Sequence, residues 1–254
     1  MPSPEKPTLE HIADGCYVRQ AIDNIGWIDL GGCAVIIDAL EQPSEKPDVM
    51  RMLKQTLGDT PVRYVLNTHT HYDHIALNDD FSRELGADVI NAGNTEIPAE
   101  GRLFEGDARS VRMIPMPDCH TRTDCVMWIA HEKVLFTGDL FGWGILPITT
   151  PLRTEMEARL LGYYKRMIGL GAETVVPGHG PLCDTNTLER FVEYYHRLKE
   201  QIADACAEGK SDKAILDDIK PPEDMRPWWR FVEWKHRDTV KKLLTAVRRG
   251  ALST

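Results

Sequence analysis

Residues 67–75 read NTHTHYDHI and place three histidines and one aspartate within six positions: His69, His71, Asp73 and His74. Burying so many polar groups without partners is costly, because imidazole and carboxylate groups lose their hydration in a protein interior. The preceding run, VRYVLNT at 62–68, is typical of a buried strand. The cluster therefore follows a strand end, and its composition predicts metal binding.

The spacing within the cluster indicates more than one metal ion. His69 and His71 are two residues apart. On extended chain their side chains leave the same side about 6.6 Å apart, close enough to share one ion. Asp73 and His74 follow where the chain turns and can face a neighbouring position. A catalytic zinc ion takes three protein ligands, so the surplus donor points to a second ion.

Three further donors follow predicted strands: His120 after MIPMPDC, Asp139 at the end of KVLFTGD, and His179 within VVPGHG. Because each lies where an apolar strand gives way to a turn, they can converge at one sheet edge. Taken singly, each histidine fits a hydrogen-bonded core residue equally well, and the aspartate after Gly138 fits a turn or cap. The other four histidines have contexts typical of surface positions: His11, His131, His196 and His236.

Strand patterns fall into two blocks, and helical patterns lie between and after them. The predicted helices cover residues 46–57, 78–86, 155–169, 185–208 and 224–248. This order predicts an α+β fold with two sheets face to face and helices outside. No repeat or linker divides the chain, so we predict a single domain over 1–254, with a core of about 10–200 and a C-terminal helical extension of about 201–254.

Composition narrows the function classes. The chain has 39 acidic and 30 basic residues, a net charge of −9, which gives a nucleic-acid partner no electrostatic support and argues against a nuclease. MPSPEKPTLE at the N-terminus lacks a signal-peptide pattern, and no apolar run reaches the length of a membrane span. We expect a cytoplasmic protein, with a trimmed leader as the alternative. The six cysteines form no CxxC pair and are interpreted as reduced thiols.

Four motifs resemble those of the metallo-β-lactamase-fold hydrolase superfamily in order and spacing, across about residues 10–200: THTHYDH at 68–74, DCHT at 118–121, FTGDLF at 136–141 and PGHG at 177–180. The resemblance implies an αββα four-layer sandwich, here with extra C-terminal helices. It also implies the ligand sets: His69, His71 and His120 for a first metal ion; Asp73, His74 and His179 for a second; and Asp139 as the bridge between them.

The sequence departs from the family pattern at three places. Ala76-Leu77 replace a small Gly-Gly pair, without loss of a ligand. Cys119 replaces the usual glycine and is interpreted as a small buried residue, with a redox or metal role as the alternative. Asp139 stands where the best-known β-lactamases carry cysteine or serine, so the chain is more similar to the ester, thioester and lactone hydrolases.

The expected function is that of a dinuclear metal-dependent hydrolase. A metal-bridging hydroxide attacks a carbonyl of a small ester, thioester or lactone, and Asp73 orients it and relays its proton as the catalytic residue. Two divalent ions are expected; zinc fits best, and iron or manganese would also be accepted. The alternatives are a β-lactam hydrolase, a phosphodiesterase or nuclease of the same fold, and a non-catalytic metal-binding module. The glutathione thioester hydrolases and the sulfur dioxygenases carry longer signatures after the third histidine and the bridging aspartate. These signatures are absent here, so these two enzyme classes rank below the other hydrolases.

Two aromatic stretches outside the motifs are candidates for contact with a substrate or with a second copy of the chain. Phe141 and Trp143, in FGWGILPITTP at 141–151, are predicted to contact substrate, with a loop packed on the core as the alternative. MRPWWRFVEW at 225–234 is predicted to dock the last helix; a dimer interface or an active-site lid is the alternative for Trp228, Trp229 and Trp234. We expect a small-molecule substrate and no binding to a nucleic acid or a membrane. The sequence leaves open whether the protein forms a homodimer.

Overall fold

A six-stranded sheet forms the first half of the sandwich in the computed structural model, which describes residues 6–252. Its strands lie side by side in chain order: β1 (Thr8–Ala13), β2 (Cys16–Gln20), β3 (Ile25–Asp29), β4 (Ala34–Ile37), β5 (Val62–Leu66) and β6 (Asp88–Ile90). Strands β1 to β4 pair antiparallel, whereas β4, β5 and β6 pair in parallel. Parallel pairing brings the carboxyl ends of β4 and β5 to one edge, where Asp38 and the 67–75 stretch begin.

A five-stranded sheet faces the first one. In spatial order its strands are β11 (Thr174–Pro177), β10 (Val134–Gly138), β9 (Cys125–Ile129), β8 (Ser110–Pro115) and β7 (Arg102–Glu105). Strands β10 and β11 pair in parallel. Their carboxyl ends therefore share an edge, and Asp139 and His179 follow these two strands.

Helices cover both outer faces. They are α1 (Lys46–Leu57), α2 (Asn78–Leu85), α3 (Thr154–Gly169), α4 (Thr185–Ala207), α5 (Asp212–Asp218) and α6 (His236–Arg248). Buried side chains of α1 and α2 pack on the first sheet, and those of α3 to α6 pack on the second. This arrangement confirms the predicted αββα sandwich with additional C-terminal helices.

The two faces of each strand explain the layering. On β10, Val134 and Phe136 point into the core between the sheets, while Leu135 packs toward the helices beyond the second sheet. On β4, Val35 and Ile36 divide in the same way between the inner core and the face under α1. Because side chains alternate along a strand, wholly apolar strands of this kind need a layer on each side.

The sequence-based element boundaries are wrong in the C-terminal part. The last helix, predicted over 224–248, begins only at His236, and the residues before it form a 3₁₀ turn (Glu223–Met225) and a π-helical turn (Phe231–Lys235). Pro227 has no amide hydrogen for a helical turn, and Arg230 has a left-handed backbone with φ of 54°. Strand β7 and helix α5 were not predicted, and the single-domain boundary stays a prediction.

Across residues 6–252, none of the helices combines the length and the apolar character needed to cross a bilayer. Residues 1–5 lie outside the described residues; they are the first half of MPSPEKPTLE, the segment in which the sequence analysis found no signal-peptide pattern.

Candidate metal centre

The seven histidines and aspartates singled out from the motifs meet at one edge of the sandwich, here called the metal edge. They come from the turn after β5, the loop between β8 and β9, and the ends of β10 and β11. Their donor atoms form two groups, each with its atoms within 4.8 Å of one another. The three-histidine group is His69, His71 and His120, and the mixed group is Asp73, His74, Asp139 and His179.

Within the three-histidine group, ring nitrogens face one another. His120 Nδ1 donates to the Pro147 carbonyl at 2.8 Å, which leaves its Nε2 as a lone-pair donor facing His71 Nδ1 at 2.9 Å. His69 Nε2 is buried and has no hydrogen-bond partner among the described residues. Buried imidazole nitrogens are normally satisfied, so this convergence fits a shared cation.

In the mixed group, contacts at Nδ1 orient the imidazole rings of both histidines. His74 lies in the 3₁₀ turn Tyr72–His74, and its Nδ1 is 2.9 Å from a carboxylate oxygen of Asp38. His179 Nδ1 lies 3.3 Å from the Ile22 carbonyl oxygen, and its Nε2 lies 3.1 Å from Asp73 Oδ2. In both histidines the Nδ1 contact turns Nε2 toward the site, as in histidines that bind metals.

Asp139 stands between the two groups. Its Oδ1 is 3.3 Å from His74 Nε2 and 3.4 Å from His179 Nε2, and its Oδ2 is 3.4 Å from His120 Nε2. One carboxylate oxygen thus faces each group. Gly178 makes room for this arrangement, because a Cβ at that position would lie 2.3 Å from Asp139 Oδ1.

Asp38 is a supporting residue that the motif analysis missed. Besides its contact with His74, its carboxylate accepts hydrogen bonds from the Thr68 backbone N–H at 2.8 Å and from the Thr68 hydroxyl. It therefore fixes the turn that carries His69 as well as the ring of His74. The available signal was an acidic residue directly after the apolar strand CAVII, which continues into the same edge.

Asp124 is the second residue that was missed. Its buried carboxylate accepts backbone hydrogen bonds from Cys119, His120 and Thr121, at 3.2, 2.8 and 2.8 Å. It also accepts from the Thr121 hydroxyl at 2.5 Å. Burial raises the pKa of Asp124 against these lowering contacts. The carboxylate shapes the loop so that His120 points into the site.

The electrostatics of the metal edge favour positive charge. Burial raises the pKa of Asp139, but His74 and His179 together hold that pKa well below its usual value. Burial lowers the pKa of His74, but Asp38 and Asp139 hold it well above the usual value. The pKa of His179 is raised to about 10 in the same way, against burial and chiefly by Asp139. The mixed group therefore attracts a cation, whether a proton or a metal ion.

His69 differs in its ionisation. Burial, and then the neighbouring His74, lower its pKa to about 2, so its ring is neutral at physiological pH. A neutral imidazole is the form that binds a metal ion. The two groups thus combine imidazole nitrogens with carboxylate oxygens, a donor set that suits zinc and also iron or manganese.

A cavity of about 330 Å³ opens beside His120, Asp139 and His179. Its wall, here called the cavity wall, comes from residues 142–147 and 229–235, with Ile145, Leu146, Trp229 and Trp234 among the lining residues. Most of the lining is apolar, as in small-molecule sites. The metal edge therefore adjoins a space that can hold an apolar group.

Phe141 and Trp143 were predicted to contact substrate, and the structure places them elsewhere. Their side chains are 0% and 3% exposed, and they do not line the cavity. The two rings pack on each other and on Trp228, behind the cavity wall. The aromatic surface of the cavity comes instead from Trp229 and Trp234, whereas Trp228 packs on the core as predicted for docking of the last helix; the dimer-interface and lid alternatives stay predictions.

Lys235, which lines the cavity, is the third residue that the motif analysis missed. Its side chain is only 2% exposed, its Nζ donates to the Gly142 carbonyl at 2.7 Å, and it lies 4.0 Å from the Trp229 ring centre. Burial lowers its pKa to about 7. The tryptophan-rich composition around it gave no signal for a buried cation.

The remaining predicted positions lie away from the metal edge. His11, His131 and His196 are exposed, as predicted. His236 is buried instead of exposed, because Tyr194 and the Ile219 carbonyl oxygen bind its two ring nitrogens at 2.8 and 3.1 Å. Cys119 is buried and belongs to neither donor group among the described residues; burial and then Asp124 raise the pKa of its thiol to about 12.

Fold and site together define an αββα sandwich with two adjoining candidate metal-binding groups at one edge. The sequence profile of the metallo-beta-lactamase superfamily matches residues 20–111. The solved structure of a metallo-beta-lactamase from Pontibacter korlensis superposes with a TM-score of 0.62 at 18% identity, covering 74% of this chain and 98% of that one. Over residues 20–111 the sequence is similar to the metallo-beta-lactamase superfamily, and the fold is similar to that of its solved members.

Curated relatives share part of the chain. It is 34% identical to a hydroxyacylglutathione hydrolase of Rhodospirillum rubrum over 123 residues, 45% of this chain and 45% of that protein. It is 31% identical to a hydroxyacylglutathione hydrolase of Pelagibacter ubique over 153 residues, 57% of this chain and 62% of that protein. The chain thus spans less than two thirds of the length of either relative.

Proposed function

We propose that this protein is a metal-dependent hydrolase that cleaves a carbonyl bond of a small molecule, with thioesters as the first candidates, followed by esters and lactones. The observation that carries the proposal is the position of Asp139, whose two carboxylate oxygens face two separate groups of imidazole nitrogens. Bridging carboxylates of this kind hold two cations a few ångströms apart. We therefore propose two divalent ions, zinc before iron or manganese.

Two ions held there would lower the pKa of a coordinated water and polarise a carbonyl oxygen. The protein's own residues then have distinct roles. Asp38 and Pro147 fix the rings of His74 and His120 through their Nδ1 atoms. Asp73 is half-buried, and a hydrogen bond to His179, set against burial, lowers its pKa to about 2. It is thus a carboxylate at neutral pH, able to orient a water molecule and accept its proton.

The cavity supports a carbonyl substrate with an apolar portion. Ile145, Trp229 and Trp234 offer apolar surface beside Asp139. The relatives from Rhodospirillum rubrum and Pelagibacter ubique carry the name of a thioester hydrolase, which moves thioesters ahead of the other bond types. The proposal includes a small-molecule partner and a cytoplasmic location, as the sequence predicts.

Metal content and a substrate panel test the proposal. Elemental analysis of purified protein should find two divalent ions per chain. Turnover is then measured on a thioester, an ester, a lactone, a β-lactam and a generic phosphodiester at equal concentration. We expect the carbonyl substrates to be hydrolysed and the thioester to be fastest. Preference for the phosphodiester, or metal-loaded protein inert to every substrate, would refute the proposed class.

Paired variants separate the metal site from the fold. The His69→Ala/His71→Ala protein should lose bound metal and turnover together. His11→Ala/His131→Ala changes two exposed histidines far from the metal edge and is the matched control. Full activity in the first double variant would contradict the scheme.

A further inference from the structure

The 142–147 loop, one half of the cavity wall, contains no helix or strand and only an isolated bridge between Gly142 and Ile145. It ends at Pro147, whose carbonyl accepts the hydrogen bond from His120 Nδ1 at 2.8 Å. A ring that binds metal is held only as firmly as the partner of its other nitrogen. The orientation of His120 therefore depends on what holds this irregular loop in place.

Side chains on one face of α6 and of the turn before it hold the loop. Lys235, Thr239 and Lys242 are four and then three residues apart, so they lie on the same side of the helix. Lys235 Nζ donates to the Gly142 carbonyl at 2.7 Å, and Lys242 Nζ donates to the Leu146 carbonyl at 3.0 Å. The C-terminal part of the chain thus contacts the loop near both of its ends.

Thr239 makes the central contacts. Its hydroxyl donates to the Gly144 carbonyl at 3.0 Å and accepts from the Leu146 N–H at 2.9 Å, and its side chain is fully buried. A hydroxyl can donate and accept at the same time, whereas the methyl group of a valine of similar shape can do neither. Without the hydroxyl, two buried backbone groups lose their partner, and the loop has to shift to satisfy them.

The chain just beyond the loop holds the backbone of the same ligand. The Thr149 hydroxyl, two residues after Pro147, donates to the His120 carbonyl at 3.0 Å. A shift of the loop therefore moves both the partner of the His120 ring and a partner of the His120 backbone. Thr239 belongs to neither donor group, so its contacts reach the metal edge only through the loop.

We infer that Thr239 is a positioning residue for the three-histidine group. Its hydroxyl fixes the 142–147 loop, and the loop fixes the ring of His120 through the Pro147 carbonyl. The inference rests on the proposed metal-dependent function. It gives the C-terminal helical extension a part in forming the metal edge, in addition to its packing on the second sheet.

Zinc affinity, measured by competition with a chromophoric chelator, tests the inference. Thr239→Val should lower the affinity about tenfold, the lower end of the effect of losing a group that orients a ligand. Thr239→Ser keeps the hydroxyl and should restore the wild-type affinity. Thr245→Val is the matched control, because Thr245 is exposed on α6 and its hydroxyl donates within the helix, to the Lys241 carbonyl at 2.8 Å.

A second control separates positioning from a general loss of stability. Val240 is buried one turn after His236, on the side of α6 where that ring contacts Tyr194 of α4. Val240→Ala should lower the melting temperature through the cavity it leaves, but it should keep the wild-type zinc affinity. An equal fall in zinc affinity in Val240→Ala and Thr239→Val would overturn the inference, since loosening of α6 would then be sufficient.

The Nδ1 proton of His120 gives a direct readout by NMR of zinc-loaded protein with ¹⁵N-labelled histidine. In Thr239→Val this proton should exchange with solvent about tenfold faster, because its hydrogen bond to Pro147 is weakened. The Nδ1 proton of His179, which faces the Ile22 carbonyl, should not change.

Lys242→Met tests the same loop at a partly exposed position, 32% exposed, where a folding defect is not expected. It removes the contact with the Leu146 carbonyl and should speed exchange of the His120 proton in the same direction. This proton is the readout for Lys242→Met, because loss of a positive charge alters zinc affinity by itself.

The outcomes keep this inference separate from the hydrolase proposal. Zinc affinity and a His120 proton that respond as expected, in a protein inert to every substrate of the panel, would refute the hydrolase proposal and support the positioning role. Substrate turnover by wild type, with unchanged zinc affinity and an unchanged His120 proton in Thr239→Val, would overturn the positioning role and leave the hydrolase proposal standing.

Discussion

The metal edge and the cavity wall enclose the same space but are built in different ways. The metal edge consists of polar side chains after strand ends, each oriented by a defined hydrogen bond, as Asp38 orients His74. The cavity wall consists of aromatic rings and a buried lysine on an irregular segment around Arg230. The difference indicates that donor placement at the metal edge depends on individual hydrogen bonds, whereas the shape of the cavity wall depends on packing between distant segments.

The largest expected effect comes from Asp139→Asn, because this residue serves both donor groups. We expect kcat to fall roughly 100- to 1000-fold, as when a key electrostatic group is removed from other active sites. The metal content per chain should drop below that of wild type in elemental analysis. Asp79→Asn, at an exposed position on α2, is the control. Two retained ions with normal turnover would show that the carboxylate does not bridge.

The next effect tests whether support residues matter as much as ligands. Asp38→Asn keeps the shape of the side chain but removes the charge that faces His74. Loss of such an orienting carboxylate lowers metal affinity about 10- to 100-fold in known sites. We expect one of the two ions to dissociate at lower chelator concentration, measured by competition with a chromophoric chelator. Unchanged chelator sensitivity of both ions would show that Asp38 does not orient His74 for metal binding.

For the cavity wall, Lys235→Met should change the dependence of stability on pH. The pKa of Lys235 is lowered to about 7 in the folded protein, against about 10.4 in the unfolded chain. Between these values the folded state binds fewer protons, so the wild-type free energy of unfolding gains about 1.4 kcal/mol per pH unit relative to the variant. Below pH 7 the wild type carries the full cost of the buried charge.

Urea unfolding of wild type and Lys235→Met from pH 6 to pH 9.5 measures that difference. Lys213→Met, at an exposed position on α5, is the control and should run parallel to wild type. Parallel curves for wild type and Lys235→Met would show that the ammonium stays charged throughout.

The smallest effect is expected from Trp234→Ala. This ring is 45% exposed and lines the cavity, so its loss should raise KM about three- to fivefold, a change near 1 kcal/mol. Metal content and kcat should hardly change. Val232→Ala lies in the same π-helical turn, 53% exposed and outside the cavity lining, and should behave as wild type. A loss of metal in Trp234→Ala would break the distinction between edge and wall.

The sequence predicted the metal edge far better than the cavity wall. His69, His120 and Asp139 were visible because each follows an apolar strand, and strand ends of facing sheets meet at one edge. Asp38 was missed because a single aspartate after a strand has no distinctive spacing.

The cavity wall escaped prediction for physical reasons. The helical pattern of 224–248 was real from His236 onward, but Pro227 and the left-handed Arg230 break it earlier. Phe141 and Trp143 were chosen for their place after Asp139, yet both rings are buried in the core, and Trp143 has a left-handed backbone with φ of 58°. Which aromatic residue faces a cavity depends on contacts between distant segments, and composition does not contain that information.

The position of Asn24 bears on how the centre is completed during synthesis. Its side-chain amide donates to the carbonyls of Pro177 and Gly180 at 2.9 and 2.8 Å, across 153 and 156 residues of chain. The segment with His69 to His74 therefore leaves the ribosome well before the strand that delivers His179. The imidazoles of His69 to His74 would therefore be exposed to ions in solution before His179 is in place. The hydrogen bonds of Asn24 would complete the second ligand set only when β11 docks.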